Sequence, residues 1–170
     1  ANINGILREL EMSMQSRITN NVKLIFEQKQ GDCFVSIVKN RFMQVIINLI
    51  TNAIKFTEEG SIRFGYFIQS NNMLSIYVAD TGCGIPPEKQ KSIFERFVKL
   101  NAFAQGTGLG LSICRMIVEH LGGEMWLESE EGKGTTFWFT FPYEPAVMQE
   151  REEGNFEKKR IEKENLKVLI

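Results

Sequence analysis

The sequence contains few of the residues that would tie it to a disulfide framework or a zinc site. It has three cysteines among 170 residues, Cys33, Cys83 and Cys114, and no two of them form a C-x-x-C pair. An odd number of unpaired cysteines at such spacings argues against both kinds of site and favours a reducing compartment.

Long apolar runs and an excess of charge of one sign are also lacking. The longest apolar stretch, at 42–50, is interrupted by Gln44 and Asn48, so we expect no membrane span. The formal net charge of -1 provides no basic field, so we expect no nucleic-acid partner. No signal peptide is visible and the chain begins at Ala1. We therefore expect a cytoplasmic fragment of a longer protein, with an inner-membrane anchor of that protein left open.

What is present is an ordinary globular composition, 43% hydrophobic and 24% charged, with alternating helical and strand patterns. The predicted helices cover 3–16, 41–56 with Asn40 as the N-cap, 86–97 and 109–121. The predicted strands cover 22–26, 33–38, 61–69, 73–79, 124–129 and 135–141. Beyond Pro142 the chain becomes dense in mixed charge and then ends in an apolar run at 167–170.

The helix at 41–56 carries a polar stripe beside its apolar one. Gln44, Asn48 and Asn52 are four residues apart, and Lys55 follows. The stripe could be a solvated face, but asparagine costs a helix about 0.6 kcal/mol relative to alanine, so two in register need a reason. Amide oxygens suit Mg²⁺, and a lysine can neutralise a phosphate.

Three glycine-containing stretches are each ambiguous when taken alone. The stretch DTGCGIP at 80–86 follows a strand and reads either as a turn or as a site where Asp80 accepts a hydrogen bond from adenine. The stretch GTGLGLS at 106–112 opens a helix and reads either as a loop with a cap or as an anion cradle. The stretch at 132–137 reads as a turn from which Thr135 could reach a ligand.

The order of these stretches resembles the ATP-binding domain of bacterial sensor histidine kinases. The segment NRFMQVIINLITNAIKFTEEG at 40–60 is similar to their asparagine box, and 80–86 and 106–113 are similar to their first and second glycine boxes. IFERF at 93–97 is similar to their phenylalanine box, and GKGTTFWFTFP at 132–142 is similar to their closing hairpin. The resemblance extends to gyrase-type topoisomerases, heat-shock chaperones and mismatch-repair ATPases, and covers residues 15–143.

This resemblance implies an α+β fold of the Bergerat type, a two-layer α/β sandwich with a mixed sheet of about five strands covered by three helices. It also implies a division of the chain. Residues 1–14 would be a helix that connects from a missing dimerisation and phosphoacceptor domain, and 15–143 the ATP-binding catalytic domain. Residues 144–164 would be a charged linker, and 165–170 the possible first strand of a truncated receiver domain, as in a hybrid two-component kinase.

The cofactors implied by the resemblance are ATP and Mg²⁺, with Asn48 as the metal ligand. Asn52 and Lys55 would contact phosphates or support the metal, and residues 98–107 would form a mobile lid whose start is anchored by Phe94 and Phe97. Arg96 is a further candidate phosphate partner. The full set of implied nucleotide-binding residues is Asn48, Asn52, Lys55, Asp80, Gly82, Gly84, Ile85, Phe97, Lys99, Gly106, Thr107, Gly108, Leu109, Gly110, Leu111 and Thr135.

Two classes of function compete under this resemblance: a kinase that donates the γ-phosphate to a protein histidine, and an ATPase that uses hydrolysis to drive a conformational change. A nucleotide-binding module that lacks catalysis is a third alternative. The hydrolysing relatives carry a glutamate base one turn before the metal asparagine, where this chain has Gln44, which favours a histidine kinase. The sole histidine, His120, sits at a predicted helix end and suits the helix dipole better than a phosphoacceptor role. We therefore expect a monomeric fragment of a homodimeric kinase. It would phosphorylate a histidine on a separate dimerisation domain and signal to a receiver domain.

Overall fold

The computed structural model describes residues 1–97 and 108–146. The helices are α1 (Ile3–Met14), α2 (Lys39–Phe56), α3 (Pro87–Gln90) and α4 (Gly110–His120), and a 3-10 turn covers Gln15–Arg17. The strands are β1 (Val22–Phe26), β2 (Val35–Ser36), β3 (Gly60–Ile68), β4 (Met73–Asp80), β5 (Met125–Glu130), β6 (Gly134–Pro142) and β7 (Glu144–Pro145).

Five of the strands form one mixed sheet in the order β1-β3-β4-β6-β5. The β1–β3 pair is parallel, and the other three pairs are antiparallel. The strands β2 and β7 form a separate two-stranded antiparallel sheet. The predicted α+β sandwich, with a mixed sheet of about five strands under helices, is confirmed.

The core lies between one face of the sheet and the apolar faces of α1, α2 and α4. Alternate side chains of β3, β4 and β6 are buried on this face, as expected for the period of two along a strand. Phe42 of α2 packs edge-on against Phe141 of β6, with ring centroids 5.4 Å apart. The opposite face carries a row of contacting rings from Phe67, Tyr77, Trp138 and Trp126.

Helix α1 also covers the free edge of the sheet. The Glu11 carboxylate accepts a hydrogen bond from the backbone N–H of Phe26 at 2.7 Å, and the Gln15 amide donates to the backbone oxygen of Leu24 at 3.3 Å. These bonds satisfy backbone groups of β1 that have no neighbouring strand, so the edge is protected from pairing with other chains.

Two helix boundaries differ from the predictions. Asn40 is not the N-cap of α2, because the helix begins at Lys39 and Val38 precedes it without a side-chain capping bond. The helix predicted at 86–97 ends at Gln90. Beyond it the backbone makes three-residue turns, such as Glu95 N–H to Ser92 O at 2.9 Å. The helix does not continue there because Ile93 and Phe94 pack against the core.

No helix among the described residues is long and apolar enough to cross a membrane. The linker and receiver-strand predictions for 144–164 and 165–170 fall largely or wholly outside the described residues, and of these segments the structure describes only β7 and Ala146.

Candidate functional site

Asp80 lies at the end of β4, on the helix-covered face of the sheet and directly opposite Thr135 of β6. Its Oδ1 atom accepts hydrogen bonds from the backbone N–H groups of Gly82 at 2.9 Å and Thr135 at 3.3 Å. Within the described residues its Oδ2 atom accepts no hydrogen bond. One carboxylate oxygen therefore holds the side chain in place, while the other is left as an acceptor for a ligand.

Burial raises the pKa of Asp80 above its ordinary value. The hydrogen bonds from the backbone N–H groups of Gly82 and Thr135 act in the opposite direction and lower the pKa in part. The carboxylate is partly removed from water, and the two hydrogen bonds replace only part of its lost hydration. It therefore interacts strongly with any hydrogen-bond donor that reaches it.

The loop at 81–86 is held by backbone packing on two sides. The N–H of Cys83 donates to the backbone oxygen of Phe56 at 3.3 Å, and the N–H of Gly132 donates to that of Cys83 at 2.7 Å. A Cβ at Gly82 would collide with the backbone oxygen of Phe56, and one at Gly84, whose φ is +70°, with that of Glu130. Both glycines are therefore required by chain packing.

Ser129, which was not predicted from the sequence as a site residue, connects this loop to the closing hairpin. Its Oγ accepts a hydrogen bond from the N–H of Ile85 at 2.8 Å and lies 2.8 Å from Oγ1 of Thr135 and 3.0 Å from the backbone oxygen of Gly134. A detectable signal was present, because Ser129 continues the inward-facing series of β5 after Met125 and Leu127.

Asn48, in the polar stripe of α2, lies against the start of α4. A Cβ built on Gly110, the first residue of α4, would be 2.8 Å from both amide heavy atoms of Asn48. Asn52 is half-buried one turn further along, and Lys55 is exposed. In the part of the chain that the structure describes, neither asparagine side chain has a hydrogen-bond partner.

The N-terminus of α4 has no side-chain cap, and Leu109 occupies the capping position. The first backbone N–H groups of the helix therefore lack the partner that a capping side chain would supply, and the positive end of the helix dipole lies beside Asn48. Gly108, Leu109, Gly110 and Leu111 are all half-buried here. This arrangement can bind an anion such as a phosphate.

The predicted lid at 98–107, with Lys99, Gly106 and Thr107, lies outside the described residues. Its two flanking residues are joined, because the N–H of Phe97 donates to the backbone oxygen of Gly108 at 2.9 Å. The ring of Phe94 packs edge-on against Phe137 at 6.2 Å, as expected of an anchor. The Phe97 side chain is 72% exposed, and the anchoring role expected of it stays a prediction.

No group of three or more histidine, cysteine, aspartate or glutamate side chains able to hold a metal exists within 1–97 and 108–146. A magnesium ion at this site would therefore rely on neutral amide oxygen, phosphate and water, a combination common for this ion. The unbonded amide of Asn48, beside the helix terminus that would receive the phosphates, fits that requirement.

Comparison with known proteins places the chain among ATPase domains. Residues 37–145 match the family described as histidine kinase-, DNA gyrase B-, and HSP90-like ATPase. The autoinducer 2 sensor kinase/phosphatase LuxQ of Vibrio vulnificus (strain YJ016) is 37% identical over 156 residues, which cover 86% of this chain and 18% of LuxQ. The chain thus spans under a fifth of that relative's length.

Solved structures agree in fold. Full-length ShkA in complex with AMPPNP superposes with a TM-score of 0.77 at 30% identity, covering 86% of this chain and 31% of that one. The catalytic domain of histidine kinase ThkA superposes with a TM-score of 0.73 at 36% identity, covering 84% of this chain and 93% of that one. ThkA has also been solved in complex with the response regulator protein TrrA, with a TM-score of 0.66 at 29% identity, covering 85% of this chain and 41% of that one.

Proposed function

Because the chain belongs to the histidine kinase-, DNA gyrase B- and HSP90-like ATPase family, as a catalytic domain of the sensor histidine kinase type, we propose that it binds ATP·Mg²⁺ and donates the γ-phosphate to a histidine on a separate dimerisation domain. Two observations support this proposal. The carboxylate of Asp80 is held at the end of β4 with one oxygen unbonded within the described residues, and the Asn48 amide lies beside the start of α4, which has no side-chain cap.

The base end supports selection of adenine. Oδ2 of Asp80 accepts a hydrogen bond from the exocyclic amine of adenine, whereas guanine presents an oxygen acceptor in that place. A half-buried carboxylate left facing another acceptor would lack a hydrogen-bond donor at a free-energy cost, so the wrong purine is disfavoured. Thr135, next to Asp80, supplies a second polar group for the base.

The phosphate end supports binding of the triphosphate and the metal. Asn48 is the proposed ligand of Mg²⁺, Asn52 and Lys55 lie one and two turns further along the same helix, and the α4 N-terminus receives phosphate oxygens. When bound, Mg²⁺ neutralises the charge that develops on the phosphates. The described residues of the chain orient the triphosphate, and the remaining proposed contacts, Lys99, Gly106 and Thr107, stay predictions.

The transfer needs no base in this domain. A neutral imidazole nitrogen attacks the γ-phosphorus, an N–P bond forms, the bond from phosphorus to the β–γ bridging oxygen breaks, and ADP leaves. Gln44, at the position where a hydrolytic base would be expected, is exposed and accepts a hydrogen bond from Arg41 at 2.9 Å. An amide cannot accept a proton at neutral pH, so we infer poor autonomous hydrolysis.

The partners belong to the same proposal. The donor domain would work with the dimerisation and histidine-bearing domain of a homodimeric parent, and the signal would pass to a receiver domain. His120, exposed at the last position of α4, suits the negative helix end, so the chain alone should not phosphorylate itself.

The test is phosphotransfer from labelled ATP to a histidine hairpin of the parent protein, with wild type, Asn48→Ala and Asn40→Ala. Asn40 is an exposed asparagine on the same helix and serves as the matched control. We expect Asn48→Ala to lose about 100-fold or more in transfer, because a metal ligand is removed, and Asn40→Ala to behave as wild type. Equal labelling by all three, or strong labelling of the chain without the hairpin, would contradict the proposal.

A further inference from the structure

Ser129 joins two stretches of the base end, although it lies outside every motif described above. Its hydroxyl contacts the N–H of Ile85 in the glycine loop and, at the start of β6, the backbone oxygen of Gly134 and the hydroxyl of Thr135. Gln90 adds a further tie, because its amide donates to the backbone oxygens of Ile85 at 2.8 Å and Ser129 at 3.1 Å.

We propose that Ser129 is a positioning residue for purine recognition, which sets the direction of the Thr135 hydroxyl beside Asp80. This inference rests on the proposed function, since it concerns how the same pocket holds adenine. It goes beyond that function by naming a residue that does not itself need to touch the base.

The hydrogen-bonding capacity of the Ser129 hydroxyl limits what Thr135 can offer to a ligand. A serine hydroxyl has one donor and two acceptor positions, and the N–H of Ile85 uses one acceptor position permanently. If Ser129 donates to the backbone oxygen of Gly134, the 2.8 Å contact requires Thr135 to donate to Ser129, and Thr135 then offers only acceptor positions to a ligand. If Ser129 donates to Thr135 instead, the Thr135 proton is free to donate.

The second arrangement matches adenine. The pairing edge of adenine presents an amine donor next to a ring-nitrogen acceptor, and the pocket then presents a carboxylate acceptor next to a hydroxyl donor, either in direct contact or through one water. Thr135 is only 5% exposed, so its hydroxyl needs a protein partner whenever no ligand is bound. Ser129 supplies that partner in both states by redirecting a single proton.

The experiment measures ADP·Mg²⁺ binding to the 170-residue chain by calorimetry for wild type, Ser129→Ala, Thr135→Val and the double variant. We expect Ser129→Ala to weaken binding by about tenfold, because the Thr135 hydroxyl is then no longer held in the direction of the base and the N–H of Ile85 loses its acceptor. In the Thr135→Val background, Ser129→Ala should have no further effect on the affinity. In a chain that keeps Thr135, Ser129→Thr retains a hydroxyl and should bind ADP·Mg²⁺ with the wild-type affinity.

Ser75→Ala is the matched control. Ser75 is 7% exposed on β4 and accepts a hydrogen bond from Gln69 at 2.7 Å, so its loss should lower the melting temperature without changing the affinity. An unchanged affinity in Ser129→Ala, or additive effects of Ser129→Ala and Thr135→Val, would overturn the inference while the proposed function stands. Failure of the wild-type chain to bind ADP·Mg²⁺ would end both.

Discussion

The two ends of the candidate site are built differently. At the base end Asp80, the glycine loop and the hairpin are held by backbone hydrogen bonds and by the Ser129 hydroxyl. At the phosphate end the Asn48 and Asn52 side chains have no hydrogen-bond partner within the described residues, Lys55 is exposed, and α4 begins without a side-chain cap.

The difference indicates that the base end and the phosphate end contribute to nucleotide recognition in different ways. A preorganised base end loses little conformational entropy on binding and can therefore discriminate between purines. Under the proposed function, the phosphate end would gain its hydrogen-bond partners only from the nucleotide and metal, so its contribution to binding would include the entropy cost of ordering those side chains. Four substitutions separate these roles.

Gly134→Ala should disrupt the base end and the fold together. The φ of Gly134 is +129°, and a Cβ there would collide with the backbone oxygen of Asp80, which cannot move without breaking the sheet. We expect a loss of about 3 kcal/mol in the free energy of unfolding, measured by urea denaturation.

Gly110→Ala is the corresponding change at the phosphate end. The three atoms nearest to a Cβ there all belong to the Asn48 side chain, and a side chain can shift more easily than backbone. We therefore expect a change in unfolding free energy within about 1 kcal/mol but clearly weaker ATP·Mg²⁺ binding. Equal destabilisation by the two alanines would show that the two ends do not differ in rigidity.

Asp80→Asn should strongly weaken the binding of adenine nucleotides and should stabilise the chain in the absence of nucleotide. Asparagine retains Oδ1 for the N–H groups of Gly82 and Thr135 but replaces the free acceptor by a donor, so we expect adenine nucleotide binding to weaken by about 100-fold. Burial raises the pKa of Asp80 in the folded chain. The free energy of unfolding of the wild type therefore falls as the pH rises through this folded-state pKa.

The asparagine variant lacks this titration. Thermal unfolding without nucleotide should therefore show Asp80→Asn to be the more stable chain at neutral pH, with the difference disappearing below the ordinary aspartate pKa of about 4. A variant that is less stable than wild type at neutral pH would mean that the carboxylate is stabilised by the fold, contrary to the direction of its pKa.

Lys55→Gln should have the smallest effect. Lys55 is exposed at the end of α2, so its attraction to a phosphate is screened by salt, and we expect ATP affinity to fall by about threefold at low salt and less at high salt. Lys39→Gln, at the opposite, exposed end of the same helix, is the matched control. A loss comparable to that of Asp80→Asn would contradict the view that the phosphate end is loosely organised.

Much of the fold followed from local patterns. The apolar stripe of α2 and the alternation of β3, β4 and β6 predicted elements within a few residues of those observed, because burial of one face imposes its period on the sequence. The boundaries that were missed depend on packing. Gln90 ends α3 while its side chain bonds to Ile85 and Ser129, and the chain then turns so that Phe94 meets Phe137.

The sequence by itself determined which groups the site could use. Asp80 follows a strand, Asn48 and Asn52 share a helix stripe, and a glycine-rich stretch opens α4, all within short spans of chain. The tertiary structure alone decided that Gly82 and Gly84 are needed for chain packing, that Phe97 is exposed, and that Ser129, 44 residues from Ile85, connects the loop to Thr135. Such contacts join residues far apart in the chain, and a local pattern carries no information about which distant backbone will be its neighbour.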